Sequence, residues 1–566
     1  MPYRAPLAAY DHLLTHVTGY ARLARTDRYA EAGADTTAAI LSETARLCDT
    51  VLAPLGRAGD RHPARIVDGV VITSPGFRDG YRAIADAGLI GMLADPHWGG
   101  LGLPVTLWAL VHEMMAGACM ALQLQPLLSQ GQIEALERHA SPDLQALYLP
   151  KLVSGDWTGT MNLTEPQAGS DLGALTTRAV ARDDGSFALT GQKIYITWGE
   201  HDVADNISHL VLARRDGAPR GSAGISLFLA PKFIPDAAGN PGARNALRAL
   251  SLEHKLGIHG SPTCVMAYEA ATAWLVGAPE GGLAAMFTMM NNARLGVGMQ
   301  GIGQAEAAFQ QALAYAQARK QGRVGGSGMI VEHPDVRGML AVMKADILAA
   351  RAIALDCAMA IDLARATGAA DWQARAALLT PIAKLFGSET GEAVAHLAIQ
   401  VHGGMGYVED TGIAQLARDV RITSIYEGTN GIQALDLVGR KLADGGAAAL
   451  ALIDEVCAAA EAVRSTLPAL ARPLREAAFS LREATEWLVK QGPDTRGAGA
   501  TAYARAFARV LGGAAHLAAA HSAQGAAQRL AAIYITRLLP QTAAHLSVLR
   551  GGGDALLGLE TADLAG

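Results

Sequence analysis

The sequence predicts a mainly helical α+β fold built from four consecutive domains. Both ends of the chain repeat apolar residues at helical spacing, and a central region carries short runs in which apolar and polar residues alternate. A third observation is the length of 566 residues. Because a single hydrophobic core stops growing well below that size, we expect about three or four domains.

The N-terminal domain, residues 1–156, is predicted to be helical. The stretches "TTAAILSETARLCDTVLAPL" and "PVTLWALVHEMMAGACMALQL" place apolar residues three and four positions apart. Between them, "DPHWGGLGLP" is a glycine-rich break. We therefore expect helical segments joined by a loop.

The second domain, residues 157–278, is predicted to contain an antiparallel sheet. Its short alternating runs include "GSFALTG", "KIYIT", "SHLVLARR" and "GISLFLAP", and clusters of Asp, Gly and Pro separate them. Such a pattern is typical of antiparallel strands joined by turns.

The last two domains are predicted to be helical and to span residues 279–441 and 442–566. From Gly281 the helical period continues for about 40 residues, which corresponds to roughly 60 Å of unbroken helix. A helix of that length needs partners on most of its surface, so we expect a bundle. The alanine-rich tail beyond Lys441 indicates an additional helical domain.

Composition and charge exclude several classes of function. The formal net charge is −6, so no nucleic-acid-binding surface is indicated. The five cysteines stand singly, without metal-ligand spacing, which is typical of a reduced, cytoplasmic protein and predicts no metal site. No signal-peptide core and no uninterrupted run of about 18 apolar residues occurs, so neither export nor membrane anchoring is expected.

A loop and a strand of the second domain are candidate ligand-binding elements. The loop "MNLTEPQAGSDLG" can lay backbone amides and the Thr164 hydroxyl against a flat heteroaromatic ring. In "GQKIYITWGEHD", alternation places Tyr195 and Thr197 on one face, and Ile194 and Ile196 on the other. An ordinary surface turn and simple cross-strand packing explain the same patterns.

Two arginines of the long helix are further candidates. Arg294 interrupts the apolar run "MMNNARLGVGM", where an unpaired cation is costly to bury. Arg319 lies about 37 Å further along the helix axis. The two would therefore serve different ends of one site, or two sites in a dimer. A surface salt bridge is the alternative for each of them.

The segment "QVHGGMGY" follows a predicted helix. Its glycines allow close backbone approach to a phosphate, although a helix C-cap and turn explain them equally well. His402 is not expected to bind a metal, because no second ligand stands at a suitable spacing.

Glu427, in "ITSIYEGTNGIQALDLVGR", is the candidate for catalysis. It follows an apolar run and precedes a glycine, where a charge gains little from solvent. Thr429 or Asn430 can cap the helix that follows. Glu427 could complement the dipole of that helix, or it could act as a general base whose pKa is raised by burial. The residues alone leave both interpretations open.

Taken in order, "LTEPQAGSD", "GQKIYITWG", "ARLGVG" with "ARKQGR", "QVHGGMGY" and "IYEGTNGIQ" closely resemble the acyl-CoA dehydrogenase family. The resemblance implies an N-terminal helical domain, a middle β-domain and a C-terminal four-helix bundle that bind FAD without a GxGxxG motif. The tail resembles a bacterial subgroup that carries an extra C-terminal helical domain.

The resemblance also assigns roles to residues. Glu427 would be the catalytic base, and Arg294 and Ser170 would contact the substrate. FAD would lie against Met161, Leu163, Thr164, Gly169, Ser170, Tyr195, Ile196, Thr197 and Thr429. The adenosine and pyrophosphate of the neighbouring subunit's FAD would be held by Arg319, Gln400, Gly403 and Gly404, which implies a homodimer, with a tetramer as the alternative.

The implied reaction converts an acyl-CoA to its trans-2-enoyl-CoA. Glu427 would take the α-proton, flavin N5 would take the β-hydride, and an electron-transfer flavoprotein or a similar acceptor would reoxidise the flavin. The expected substrate is 3-methylmercaptopropionyl-CoA, and straight-chain fatty acyl-CoAs are the alternative. An acyl-CoA oxidase and a non-catalytic flavin- or acyl-CoA-binding protein are further alternatives.

Overall fold

The predicted mainly helical α+β fold is confirmed by the computed structural model, which describes residues 3–322, 326–551 and 553–565. The N-terminal part is helical apart from one short hairpin. Its elements are α1 (Leu7–His16), α2 (Ala34–Leu47), α3 (Ala53–Arg61), β1 (Arg65–Val67), β2 (Val70–Ile72), α4 (Phe77–Asp86), α5 (Val105–His139) and α6 (Pro142–Val153).

Helix α5 forms the centre of this part and is buried along nearly its whole length. The backbone leaves helical geometry at Cys119 (φ −154°, ψ 84°), so two helical halves meet at a kink. Within the described residues, α5 alone is long and apolar enough to cross a membrane, but its most apolar window is entirely buried inside the protein. It therefore has the surroundings of a core helix.

The strands of the middle part form one seven-stranded sheet and a separate small hairpin. They are β3 (Trp157–Asn162), β4 (Arg178–Ala181), β5 (Phe187–Thr197), β6 (Asn206–Arg215), β7 (Ile225–Pro231), β8 (Phe233–Pro235), β9 (Pro241–Arg244), β10 (Leu247–Leu252) and β11 (Thr263–Val276). The order in the sheet is β10-β11-β5-β4-β6-β3, and β7 pairs with both β11 and β6.

The sequence predicts an antiparallel sheet, but the sheet in the structure is mixed. Strand β6 pairs in parallel with β3 and, at its C-terminal end, with β4, both on the side opposite to its antiparallel partner β7, and the remaining pairings are antiparallel. The alternation of apolar residues reports which face of a strand is buried, but it does not report the direction of the neighbouring strand. The prediction was wrong on this point for that reason.

Three long helices and two short ones follow the sheet. They are α7 (Gly282–Ala318), α8 (Pro334–Thr367), α9 (Ala370–His402), α10 (Ile413–Val420) and α11 (Asn430–Asp436). The long helix expected from Gly281 is confirmed as α7, which has 37 residues. One hydrophobic core extends through the helical parts, and a second, smaller core fills the other face of the sheet.

The tail is helical throughout its described residues. Its helices are α12 (Ala447–Ala462), α13 (Pro468–Leu488), α14 (Pro493–Ser522), α15 (Ala526–Ile533), α16 (Gln541–Gly551), α17 (Gly553–Leu557) and α18 (Thr561–Ala565). Helix α14 packs against α8, α9 and α11. Two ion pairs strengthen this contact, namely Arg509 with Asp346 and Arg505 with Glu389.

Helices α7 and α9 cross with their backbones in direct contact. A Cβ atom on Gly301 would lie 2.3 Å from the Gly387 carbonyl oxygen, and one on Gly391 would lie 2.6 Å from the Gly301 carbonyl oxygen. Contacts this short with backbone atoms leave no room for a side chain. The crossing therefore sets the separation of α7 and α9.

Replacing Gly301 with alanine should lower the free energy of unfolding by about 2 kcal/mol, because the helices must separate to admit the methyl group. Gly439→Ala is the matched control. Its Cβ, in the helical turn Leu437–Lys441, would meet none of the described residues within 4 Å, so this variant should gain up to about 1 kcal/mol from helix propensity. Urea unfolding measures both variants, and equal stabilities would contradict the close crossing.

Candidate functional site

Glu427 lies in a tight turn between a 3₁₀ turn (Arg421–Ser424) and α11. Its φ is 56°, and Gly428 follows with φ 85°. A positive φ is uncommon for a residue with a side chain and persists only where the surroundings enforce it. Here the Gln433 amide enforces it, because its Nε2 donates to the carbonyl oxygens of Glu427 (3.2 Å) and Gly428 (3.3 Å).

The carboxylate of Glu427 does not cap α11. That role belongs to Thr429, one of the two predicted caps, whose Oγ1 accepts a hydrogen bond from the Ile432 amide at 3.2 Å. Glu427 Oε2 is buried and has no hydrogen-bond partner within the described residues. A buried carboxylate oxygen that is left unpaired is costly, which favours a chemical role over a structural one.

Two buried basic side chains act on Glu427. Burial raises the pKa of the Glu427 carboxyl to about 7, although the charges of Arg294 and Lys384 act to lower it. Without these cations the same burial would leave the group protonated at neutral pH. Their presence keeps the carboxyl close to its half-ionised point at neutral pH.

Arg294, on α7, forms a buried ion pair rather than the surface salt bridge considered as an alternative. Its Nη1 lies 3.3 Å from Asp436 Oδ2, and its Nε is buried without a partner within the described residues. Arg294 also lines a cavity of about 220 Å³ together with Arg138, Arg365 and Lys441. The wall of this cavity thus carries four basic side chains together with the carboxylates of Glu134 and Asp436.

Lys384, on α9, was missed by the sequence analysis. Its side chain is fully buried, and its Nζ donates to Asn430 Oδ1 at 2.9 Å. Burial lowers the pKa of Lys384 to about 7, while the charge of Glu427 acts to raise it. A lysine within the apolar run "TPIAKLFG" was the available signal, but nothing in that run points to a residue 43 positions away.

The predicted loop and strand of the sheet domain lie side by side. The amide of Ile194 donates to the Thr164 carbonyl oxygen at 2.9 Å, and Thr160 Oγ1 donates to the Thr197 carbonyl oxygen at 2.7 Å. Met161, Leu163 and Thr164 are half-buried, whereas Gly169 and Ser170 are exposed. The structure thus brings together both candidate segments.

The strand departs from regular alternation at Tyr195. A register shift against β11 marks a bulge before Ile196, and Tyr195 has φ 60°. Tyr195 is 61% exposed, Thr197 is half-buried, and Ile196 belongs to the smaller core. The predicted cofactor contact of Ile196 stays a prediction, and only its backbone would be available for it.

A second group of predicted residues lies at the far end of α7. Arg319 is exposed. Four residues earlier, the Tyr315 ring stacks on the His402 ring with the centroids 4.3 Å apart, which places Gln400, Gly403 and Gly404 beside this end of α7. A Cβ atom on Gly403 or Gly404 would meet no described residue within 4 Å, so the described surroundings leave this backbone open to a ligand. In the described part of the chain, no hydrogen bond or ion pair joins this group to the sheet segments.

This arrangement suits a planar cofactor with a phosphate-bearing tail. The sheet edge offers an exposed aromatic ring, a hydroxyl and loop amides, while the far end of α7 offers an exposed cation and bare glycine backbone. Glu427 adds a carboxyl whose pKa of about 7 suits the exchange of a proton. The residues present therefore fit a dinucleotide of the FAD type and a proton-transfer reaction.

Four family models match successive parts of the chain. They are described as acyl-CoA dehydrogenase N-terminal domain (residues 35–156), middle domain (160–271) and C-terminal domain (280–442), and as acetyl-CoA dehydrogenase C-terminal like (449–560). The last match includes the tail, so the predicted extra domain has relatives of its own.

Named relatives agree with these models. The 3-methylmercaptopropionyl-CoA dehydrogenase of Ruegeria pomeroyi is 44% identical over 81% of this chain and 79% of its own length. A butyryl-CoA dehydrogenase of Syntrophomonas wolfei is 37% identical over 72% of this chain and 70% of its own. The resemblance inferred from the motifs is thereby confirmed.

Solved structures share the fold. Caenorhabditis elegans ACDH-11, solved in complex with C11-CoA, superposes with a TM-score of 0.81 over 97% of this chain and 96% of its own, at 21% identity. Butyryl-CoA dehydrogenase of Megasphaera elsdenii superposes with a TM-score of 0.61 over 72% of this chain and 99% of its own, at 26% identity. The first similarity shows the fold alone, and it includes the tail.

Glu427→Gln should stabilise the protein more at pH 8 than at pH 5. Because the pKa of Glu427 is raised to about 7 in the folded protein, the folded state binds more protons than the unfolded state below that value, and stability falls as the carboxyl ionises. The neutral amide escapes this loss, so the advantage of the variant in unfolding free energy should reach about 1–3 kcal/mol at pH 8.

Urea unfolding at the two pH values measures this difference. Glu43→Gln, whose side chain is 70% exposed, is the control and should show no such growth. An advantage of Glu427→Gln that does not change with pH would contradict the raised pKa.

Proposed function

The chain belongs to the acyl-CoA dehydrogenase family, and on that premise we propose that it converts an acyl-CoA thioester to the trans-2-enoyl-CoA, with FAD as cofactor and Glu427 as the base. The observation that carries this proposal is the buried Oε2 of Glu427, which has no partner among the described residues and belongs to a carboxyl whose pKa lies at about 7. A general base works best when its pKa lies near the operating pH.

The backbone around Glu427 supports the same role. An α-proton next to a thioester is only weakly acidic, so a base can remove it only if the carbonyl oxygen is stabilised as charge develops there. The Glu427 N–H makes no hydrogen bond in the described part of the chain. We propose that it donates to the thioester oxygen while the carboxylate of the same residue takes the proton.

FAD would be held by the two groups of candidate residues. Met161, Leu163, Thr164, Gly169, Ser170, Tyr195, Thr197 and Thr429 would hold the flavin part. The adenosine and pyrophosphate would lie against Arg319, Gln400, Gly403 and Gly404 of a second subunit, which requires a homodimer. When bound, FAD supplies the acceptor for the hydride that leaves the β-carbon.

The CoA part of the substrate would lie in the cationic cavity beside Arg294. CoA carries phosphates, and the four basic side chains of the cavity wall outnumber its two carboxylates, Glu134 and Asp436. A larger cavity of about 810 Å³ shares Glu134, Arg138, Asn292 and Arg365 with it. The two adjoining cavities offer the volume that a long nucleotide tail needs.

A chain of buried polar side chains favours a short acyl group. It begins beside the base with Tyr426, whose hydroxyl donates to Gln300, and it continues from Gln300 to Gln123 (2.8 Å) and from Gln123 to His112 (2.6 Å). A long alkyl chain that extends along these side chains would have to break their hydrogen bonds at high cost. We propose 3-methylmercaptopropionyl-CoA as substrate, in line with the relative of that name, and short straight-chain acyl-CoAs as the second candidate.

The proposal also includes the electron acceptor and the location of the protein in the cell. We propose an electron-transfer flavoprotein as the electron acceptor, and a cytoplasmic location, since all five cysteines are unpaired.

Glu427→Gln should retain FAD but lose nearly all dehydrogenation, because the amide keeps the shape of the site and cannot accept the proton. Anaerobic bleaching of the flavin absorbance by acyl-CoA measures the step directly. A rate lower by about three orders of magnitude or more is expected. Full bleaching by the variant would contradict the assignment.

A panel of acyl-CoAs tests the substrate proposal on the wild-type enzyme. We expect kcat/KM to be highest for 3-methylmercaptopropionyl-CoA, somewhat lower for butyryl-CoA, and lower by about two orders of magnitude for palmitoyl-CoA. A preference for palmitoyl-CoA would contradict the role given to the buried polar chain. Hydrogen peroxide formation in air without an added acceptor would instead indicate an oxidase.

A further inference from the structure

A buried ion pair in the sheet domain joins the two segments that would line the flavin. Glu165 lies in the loop that follows β3, and Lys193 lies in β5, with both side chains at most 1% exposed. Their charged atoms, Lys193 Nζ and Glu165 Oε1, are 2.8 Å apart. Neither residue was singled out by the sequence analysis.

The Glu165 carboxylate organises the whole loop. Oε1 also accepts hydrogen bonds from the amide (3.0 Å) and hydroxyl (2.5 Å) of Thr177, and Oε2 accepts from the amide (2.7 Å) and hydroxyl (2.8 Å) of Thr176 and from Gln167 Nε2 (2.7 Å). Burial alone would raise the pKa of Glu165, but Lys193 and these donors lower it to about 2. The carboxylate therefore stays ionised and fixed.

Lys193 connects this loop to the strand. Its Nζ also donates to the Leu163 carbonyl oxygen at 2.9 Å, and the next residue, Ile194, donates its amide to the Thr164 carbonyl oxygen at 2.9 Å. Two steps after Lys193 comes Tyr195, with its positive φ at the bulge. An uncommon backbone geometry of this kind needs anchoring on both sides.

Stability alone does not account for the pair. Buried ion pairs are costly to desolvate, and well-packed apolar residues in their place are often as stable or more so. What apolar residues cannot supply is directional hydrogen bonding to the Leu163 carbonyl and to the 176–177 backbone at once. The gain is geometric, since the loop and the strand are held in one relative position.

We infer that Glu165 and Lys193 are positioning residues, which hold the Leu163–Thr164 segment and the Tyr195–Thr197 segment in the geometry that accepts the flavin before it binds. This inference rests on the proposed function, since it concerns the cofactor of that site. Neither residue is assigned a direct contact with the flavin, so each acts through the segments that it holds.

The test measures the FAD affinity of the apoprotein and its thermal stability separately. Lys193→Met removes the cation that bridges the two segments, and Glu165→Gln keeps the shape of the side chain but removes its charge. Arg509→Met is the control, because Arg509 forms a buried ion pair with Asp346 outside the sheet domain. A purely structural role would lower the melting temperatures of all three variants and leave their FAD dissociation constants unchanged.

We expect the dissociation constant for FAD to rise about tenfold or more in Lys193→Met and Glu165→Gln, the effect of one distorted buried hydrogen bond, and to stay within about twofold of wild type in Arg509→Met. The visible circular dichroism of the bound flavin should change in the two sheet variants alone. If one of them does not fold, the other decides the outcome. Wild-type FAD affinity in the folded variants would overturn the inference, whereas failure of the wild-type apoprotein to bind FAD would overturn the proposed function instead.

Discussion

The interaction on which the site depends is the balance between burial of the Glu427 carboxyl and the attraction of two buried basic side chains. Burial alone would leave this carboxyl neutral, and an exposed position would leave it too weak a base. Arg294 and Lys384 come from α7 and α9, whose separation is set by the glycine crossing at Gly301 and Gly387. The helix packing thus controls the electrostatics of the site.

The elements around the base are each held by a neighbour. Asn430, at the start of α11, accepts the hydrogen bond of Lys384, and Gln433 of the same helix fixes the turn that carries Glu427. Helix α14 of the C-terminal domain packs against α9 and α11, and Arg505 pairs with Glu389 at 2.9 Å. The additional domain therefore packs against the helix that carries Lys384 and the helix that fixes the Glu427 turn. This turn keeps a strained backbone and a carboxylate oxygen without a partner among the described residues, at a cost in stability.

Features that depend on local order along the chain could be predicted from the sequence. The helical period identified the long helix that became α7, and the turn chemistry of Gly428 and Thr429 identified the start of α11. Features that depend on contacts between distant segments could not. Lys384 reaches the base only through the packing of α9, and Glu165 meets Lys193 only when the sheet forms. For the same reason, alternation failed to show the bulge at Tyr195 and the parallel neighbours of β6.

The protonation state of Glu427 is the most direct test of this account. An infrared difference spectrum between wild type and Glu427→Gln isolates the carboxyl band of this one residue, and it can be followed across a pH titration of the folded enzyme. The account predicts that the protonated band disappears with a midpoint near pH 7, as the pKa of about 7 requires. A midpoint near the ordinary glutamate value, about 4.3, would show that burial does not raise the pKa of Glu427, and would contradict the account.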